Sequence, residues 1–272
     1  MGEVMIPFLL RAIVAIFIIS INAAITGTFT VFRNVSFLVA GTAHAALAGA
    51  ALALILESLG FHVPVLLGGV LFAIFAAISA GYASGRGKVG RREDTNTAIA
   101  ISFALSMSLA VLFISMVREY AARVWGLLIG DLFLLSYSDL AIMFITTLLV
   151  IAITALFYRA FLYLSFDAEA AIASGVKVGL YDYLLLSTIA LSVVAIMGGV
   201  GAILVFAMFV APAAIAKRFA KSISRVFLLS FLISFSSGIA GIALSFYLPF
   251  SPGAMAAVMV SSTYFVSVFV KK

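Results

Sequence analysis

The sequence predicts an all-α, polytopic membrane protein of about nine transmembrane helices, and three observations carry that expectation. Of its 272 residues, 65% are hydrophobic and 10% charged, and the mean hydropathy is +1.32; a soluble domain has about a quarter of its residues charged. The apolar residues gather into runs close to the ~20 residues that a helix needs to cross a bilayer. The 16 Lys and Arg lie in the gaps between those runs or near their ends.

Nine spans fit, at about 8–30, 36–57, 64–84, 97–117, 139–160, 181–197, 200–218, 226–247 and 253–270. The first resembles a signal-peptide core, with Asn22-Ala23-Ala24 as a loose cleavage site, but its length and Arg33 just beyond it favour a retained helix. The sixth and seventh are short and separated by Gly198, Gly199 and Gly201. A partly re-entrant 181–218 would reduce the count to eight, whereas Lys177 and Lys217 at its two ends fit a full hairpin. Pro212, inside the seventh span, is expected to kink its helix unless neighbouring groups satisfy the freed carbonyl.

The gaps alternate in charge. Thirteen basic residues fall on one side: Arg33, Arg86, Lys88, Arg91, Arg92, Arg159, Lys177, Lys217, Arg218, Lys221, Arg225, Lys271 and Lys272. Arg11, Arg118 and Arg123 fall on the other. Cytoplasmic loops carry the excess of Lys and Arg, so the N-terminus is expected outside and the C-terminus in the cytoplasm of a plasma-membrane protein. The same placement explains the pI of about 9.7 without nucleic acid. With no cysteine there are neither disulfides nor thiolate ligands.

His44 stands out chemically. It is the sole ionisable side chain between Phe37 and Leu56, and at ~1.5 Å of rise per residue it lies about 10 Å inside the span. An imidazole at that depth is costly and marks a substrate path or a helix-packing contact; neutral imidazole is also a common transition-metal ligand. Beside it, Gly41, Ala45, Gly49 and Ala53 recur every fourth residue, a stripe that lets another helix approach closely. Glu57 and His62 flank the outer end of this span as a candidate cation entry point or as ordinary interfacial groups.

Phe166 to Gly179 reads FDAEAAIASGVKVG. Asp167 can cap a short helix at 168–174, Glu169 suits its first turn, and Gly175 supplies a left-handed stop. On composition this is a docking element or a solvated connector. Asp131 reads as a turn residue. The Gly198–Gly201 and Gly85–Lys88 stretches lack the spacing and context of nucleotide-binding loops.

Five stretches in order give the chain a family likeness: RNVSFLVAGTAHAALAG at 33–49, EDTNTAIAISFALSMSLAVLFIS at 93–115, LLIGDLFLLS at 127–136, FDAEAAIASGVKVG at 166–179 and VGAILVFAMFVAPAAIAKR at 200–218. With them the sequence resembles the metal-ion permease subunits of ABC importers for zinc, manganese or iron. The resemblance implies one transmembrane permease domain over 1–272, a permease homodimer, a cytoplasmic ATPase dimer that hydrolyses the ATP, and an extracellular metal-binding protein. It implies a non-catalytic chain with no permanently bound cofactor and a transported divalent ion, and it makes the helix of the 161–180 loop, with Asp167, Glu169 and Gly175, the coupling helix. His44 falls on the family's histidine of the second span. Where many members carry an acidic residue one turn earlier, this chain has Ala40, which removes a hard ligand and places zinc ahead of manganese or iron.

Two rivals are weaker. An ion-coupled secondary transporter of a small solute would carry midplane acids, whereas the ten Asp and Glu map to gaps or span ends. An intramembrane protease would pair Asp131 with Asp182, which the expected topology puts on opposite sides.

Overall fold

The computed structural model describes residues 2–85, 95–116, 126 and 130–270. Eight of the basic residues used for topology, Arg86, Lys88, Arg91, Arg92, Arg118, Arg123, Lys271 and Lys272, lie outside the described residues. Among the described residues the regular structure is helical, without strands.

Helix α1 (Gly2–Asn22) runs through a π turn at Ala23–Gly27 into α2 (Thr28–Phe32). There follow α3 (Phe37–Ser58), α4 (Val65–Ala83), α5 (Thr95–Met116) and α6 (Tyr137–Leu156). Two short helices come next, α7 (Tyr158–Phe166) and α8 (Ala168–Ala173). The chain then forms α9 (Val178–Val200), α10 (Ala202–Phe219), α11 (Ile223–Ser245) and α12 (Pro252–Val270). Nine of these stretches are long and apolar enough to cross a membrane: Ile6–Phe32 and helices α3, α4, α5, α6, α9, α10, α11 and α12.

Eight of the nine expected spans sit within about three residues of these bounds. The fifth, expected at 139–160, ends at Leu156, and α7 occupies residues assigned to its tail and to the following loop. The reason is amphipathicity: Phe157, Phe161 and Leu164 share one face, with Phe161 and Leu164 buried, while Arg159 and Tyr163 share another. At 23 and 18 residues, α9 and α10 are each long and apolar enough to span, which supports the full hairpin over the re-entrant alternative at 181–218.

The chain folds as two compact units. One comprises Met1–Val31, Leu127–Leu149 and Ile196–Lys272; the other comprises Phe32–Gly126 and Val150–Ala195. In the first, Phe17 meets Phe231 and Phe235 edge-on at 5.7 and 6.1 Å, and Phe29 meets Phe227 at 5.7 Å. Small residues bring other helices together: a Cβ on Gly241 would lie 2.4 Å from the Ala256 nitrogen, and one on Gly27 only 2.2 Å from the Phe209 carbonyl oxygen. Hydrocarbon offers no partner to a polar group, and several of the buried ones here bond internally, while the Thr28 and Ser234 hydroxyls make no hydrogen bond among the described residues. Asn22 Nδ2 donates to the Ile18 carbonyl at 3.0 Å and to Thr147 Oγ1 at 2.7 Å. The hydroxyls of Ser20, Thr26 and Thr30 each donate one turn back.

In the second unit α3 is the central helix, packed against α4 and α5. Gly49 of the small-residue stripe abuts Gly68 of α4, whereas Gly41 faces Ile99 and Phe103 of α5. Gly81 lies against Tyr183 and Leu186 of α9, and Gly69 against Val194. The Ser102 hydroxyl adds a 3.4 Å bond to the Ala76 carbonyl.

Candidate functional site

From Leu38 to Ala51 every residue of α3 is buried except Ala40 and His44. These two lie one turn apart on one face, so this stretch of the helix has a single narrow opening, and the opening carries the stretch's sole titratable group. His44 Nδ1 sits 2.8 Å from the Ala40 carbonyl oxygen. A carbonyl can only accept, so in the neutral ring the proton is on Nδ1 and the lone pair on Nε2. That is the tautomer a metal-ligating histidine needs, with the second nitrogen fixing the orientation of the first. Phe103 of α5 meets the imidazole edge-on at 4.8 Å and in turn touches Phe37 at 5.1 Å. One face of the site is thus aromatic, while the position one turn before His44 is a methyl group.

Among the described residues no three His, Cys, Asp or Glu side chains gather as a metal cluster. Within one chain His44 offers a single nitrogen, suited to a passing ion more than a resident one. Glu57 and His62 are both exposed, and no hydrogen bond or ion pair joins them. Glu57 is 13 residues beyond His44 on the same helix, about 20 Å along the axis, so the structure does not bring the two together.

The loop after α7 is shaped at both ends. Asp167 accepts a 2.8 Å hydrogen bond from the Ala170 backbone N–H, an N-cap. At the other end Gly175 has φ +78°; its N–H bonds Ile172 and that of Val176 bonds Ala171, both at 3.0 Å, which is a Schellman stop. The side chain of Glu169 lies outside the described residues.

Arg33, just past α2, was counted in the sequence only as a topogenic charge. In the structure its guanidinium donates to the Asp182 carboxylate, near the start of α9, and to the Leu164 carbonyl, near the end of α7. Asp182 is 1% exposed, and its engagement with Arg33 removes it as a protease acid. Asp131 caps a turn instead, its Oδ1 accepting from the Phe133 N–H at 2.9 Å.

Gly201 forms the one-residue joint between α9 and α10 with φ +88° and ψ 152°, a region open essentially to glycine alone. Backbones crowd there, since a Cβ on Gly130 would lie 2.2 Å from the Val200 carbonyl carbon. Pro212 is buried inside α10. Its missing N–H withdraws the usual donor from the Met208 carbonyl.

The profile of the ABC 3 transport family matches residues 5–271. The manganese import system permease protein ScaB of Streptococcus gordonii is 29% identical, over 97% of this chain and 91% of its own length. The manganese transport system membrane protein MntC of Halalkalibacterium halodurans is 30% identical, over 96% of this chain and 86% of its own length. Among solved structures, PsaBC from Streptococcus pneumoniae in complex with Fab has a chain that superposes with a TM-score of 0.80 at 26% identity, covering 96% of this chain and 90% of that one. With a profile matched nearly end to end and nine apolar helices in the described residues, this chain belongs to the ABC 3 transport family and is a multi-pass protein of the cell membrane.

Proposed function

We propose that this chain is the membrane-spanning permease subunit of an ATP-driven importer of divalent transition-metal ions. The observation that carries the reading is the Ala40–His44 opening in the otherwise buried Leu38–Ala51 stretch of α3, with the imidazole held so that Nε2 keeps its lone pair. The names of relatives at 29–30% identity, both manganese systems, support the substrate class. The chain acts as a homodimer, receives the ion from an extracellular metal-binding protein and couples to a cytoplasmic ATPase dimer through α8. It performs no chemistry itself and holds no permanent cofactor.

Zinc is the ion that the site favours: a borderline ion suits imidazole, and Ala40 offers no hard oxygen. Manganese is the second reading, favoured by the relatives' names. The test is zinc uptake into vesicles by the assembled transporter. His44→Ala should reduce uptake to near background while leaving assembly intact, because a small side chain suits this helix surface. Uptake at the parental rate would make His44 a packing residue and remove the basis of the proposal.

A further inference from the structure

The geometry points to Arg33 and Asp182 as positioning residues for energy coupling: together they clamp the two ends of the α7–α9 loop to the start of α3. This rests on the reading of α8 as the coupling helix.

Arg33 reaches two acceptors at once. One is the Leu164 carbonyl, among the last four of α7, which have no intrahelical N–H to accept from. Three residues further on, Asp167 caps α8. The other acceptor is Asp182, in the second turn of α9, the helix that leaves the loop. Residues 165–181, including all of α8, are therefore bracketed by two contacts to one side chain. Aromatic contacts brace both flanks: Phe32 lies 5.1 Å from Phe166, and Phe157 lies 5.7 Å from Tyr181.

That side chain belongs to the turn that opens α3. Asn34, the next residue, has φ +54°, a left-handed conformation that asparagine tolerates, and α3 begins at Phe37. Ala40 and His44 are the next partly exposed positions along it after Phe37. A displacement of α8 thus has a short, hydrogen-bonded route to the helix carrying the proposed ion ligand. A planar guanidinium can hold a carboxylate and a carbonyl together in fixed geometry; a lysine ammonium is a single point charge.

The experiment uses the transporter assembled with its ATPase and binding protein in vesicles, and reads zinc ions imported per ATP hydrolysed. Arg33→Lys keeps the positive charge near Asp182 but gives up the bridge; Asp182→Asn keeps the shape and an acceptor but gives up the charge. Both should assemble and hydrolyse ATP, with zinc moved per ATP falling about tenfold, within the span of coupling changes seen for residues that touch neither ligand. Zinc binding without ATP should stay at the parental level, which a general loss of structure would not allow. Parental stoichiometry in both variants overturns the inference, and so does failure of both to assemble, which would make the pair a folding element alone. Gly175→Arg separates the two readings. If it uncouples while the pair variants stay coupled, only the role of Arg33 and Asp182 falls; if it also stays coupled, the coupling-helix reading fails and takes this inference with it.

Discussion

Gly49 and Gly68 press backbone against backbone: a Cβ on Gly49 would lie 2.2 Å from the Gly68 carbonyl oxygen, and one on Gly68 would lie 2.6 Å from that of Gly49. Backbone cannot rotate away as a side chain can. Gly49→Ala should force α3 and α4 apart at a cost of about 1–3 kcal/mol, the usual range for overpacking. A lowered thermal midpoint of the purified protein would show it. Gly198→Ala, where a Cβ meets nothing within 4 Å, should leave the midpoint within the roughly 0.5 kcal/mol scatter of surface changes.

Gly201→Ala tests a different cause, conformation in place of contact. The joint between α9 and α10 sits at φ +88°, ψ 152°, where an L side chain costs about 1–3 kcal/mol. We expect a lower thermal midpoint with zinc binding retained in what remains folded. An unchanged midpoint would mean that the joint relaxes freely.

Topology can be read with tags. The charge asymmetry places Lys88 and Lys221 in the cytoplasm and Arg123 outside. The structure adds a grouping: in one unit Arg11 Nη1 donates to the Leu135 carbonyl at 2.6 Å and Phe133 lies 5.9 Å from Phe246, all from gaps or span ends expected outside. In the other, Arg33, Leu164 and Asp182, all expected inside, meet. Tags at Lys88 and Lys221 should be reachable only after permeabilisation, and one at Arg123 in intact cells. Labelling at Lys221 in intact cells would break the scheme from the sixth span onward.

Ala40→Asp should change which ion the transporter prefers. It restores a carboxylate one turn before His44, on the same face, and hard oxygen suits manganese better than zinc. In competition uptake the manganese-to-zinc ratio should rise by about tenfold, the scale on which changes around a metal ligand act. An unchanged ratio would place ion selection elsewhere.

Much of this was legible in the sequence because membranes impose simple rules. A run of about 20 apolar residues needs no tertiary context to be read as a span, and His44 announced itself as a lone ionisable group in one. The stop at Gly175 was equally local, since the left-handed residue and its capping partners sit within one turn. Helix α7 was hidden because the break at Phe157 uses neither proline nor glycine, so hydropathy runs on through it; the spacing of Phe157, Phe161 and Leu164 was the available signal. The Arg33–Asp182 pair joins residues 149 positions apart. Each looked like an ordinary charge at a span end, and nothing in local pattern says which such charges meet.

The π turn at Ala23–Gly27 sets the rotational phase of the first span. Phe17 and Phe29 both pack against α11, yet they are twelve residues apart, and at about 100° per residue an unbroken α-helix would point them roughly 120° apart. A single π turn absorbs one extra residue, so Phe29 is turned as if it were the eleventh residue on, about 20° from Phe17. The wide turn therefore acts as a gear offset that keeps two ends of a long helix meshed with one neighbour. Removing one residue from Ala23–Gly27 would restore a regular helix without spoiling that mesh, whereas the same deletion a turn earlier, with the π turn kept, would rotate one phenylalanine out of step.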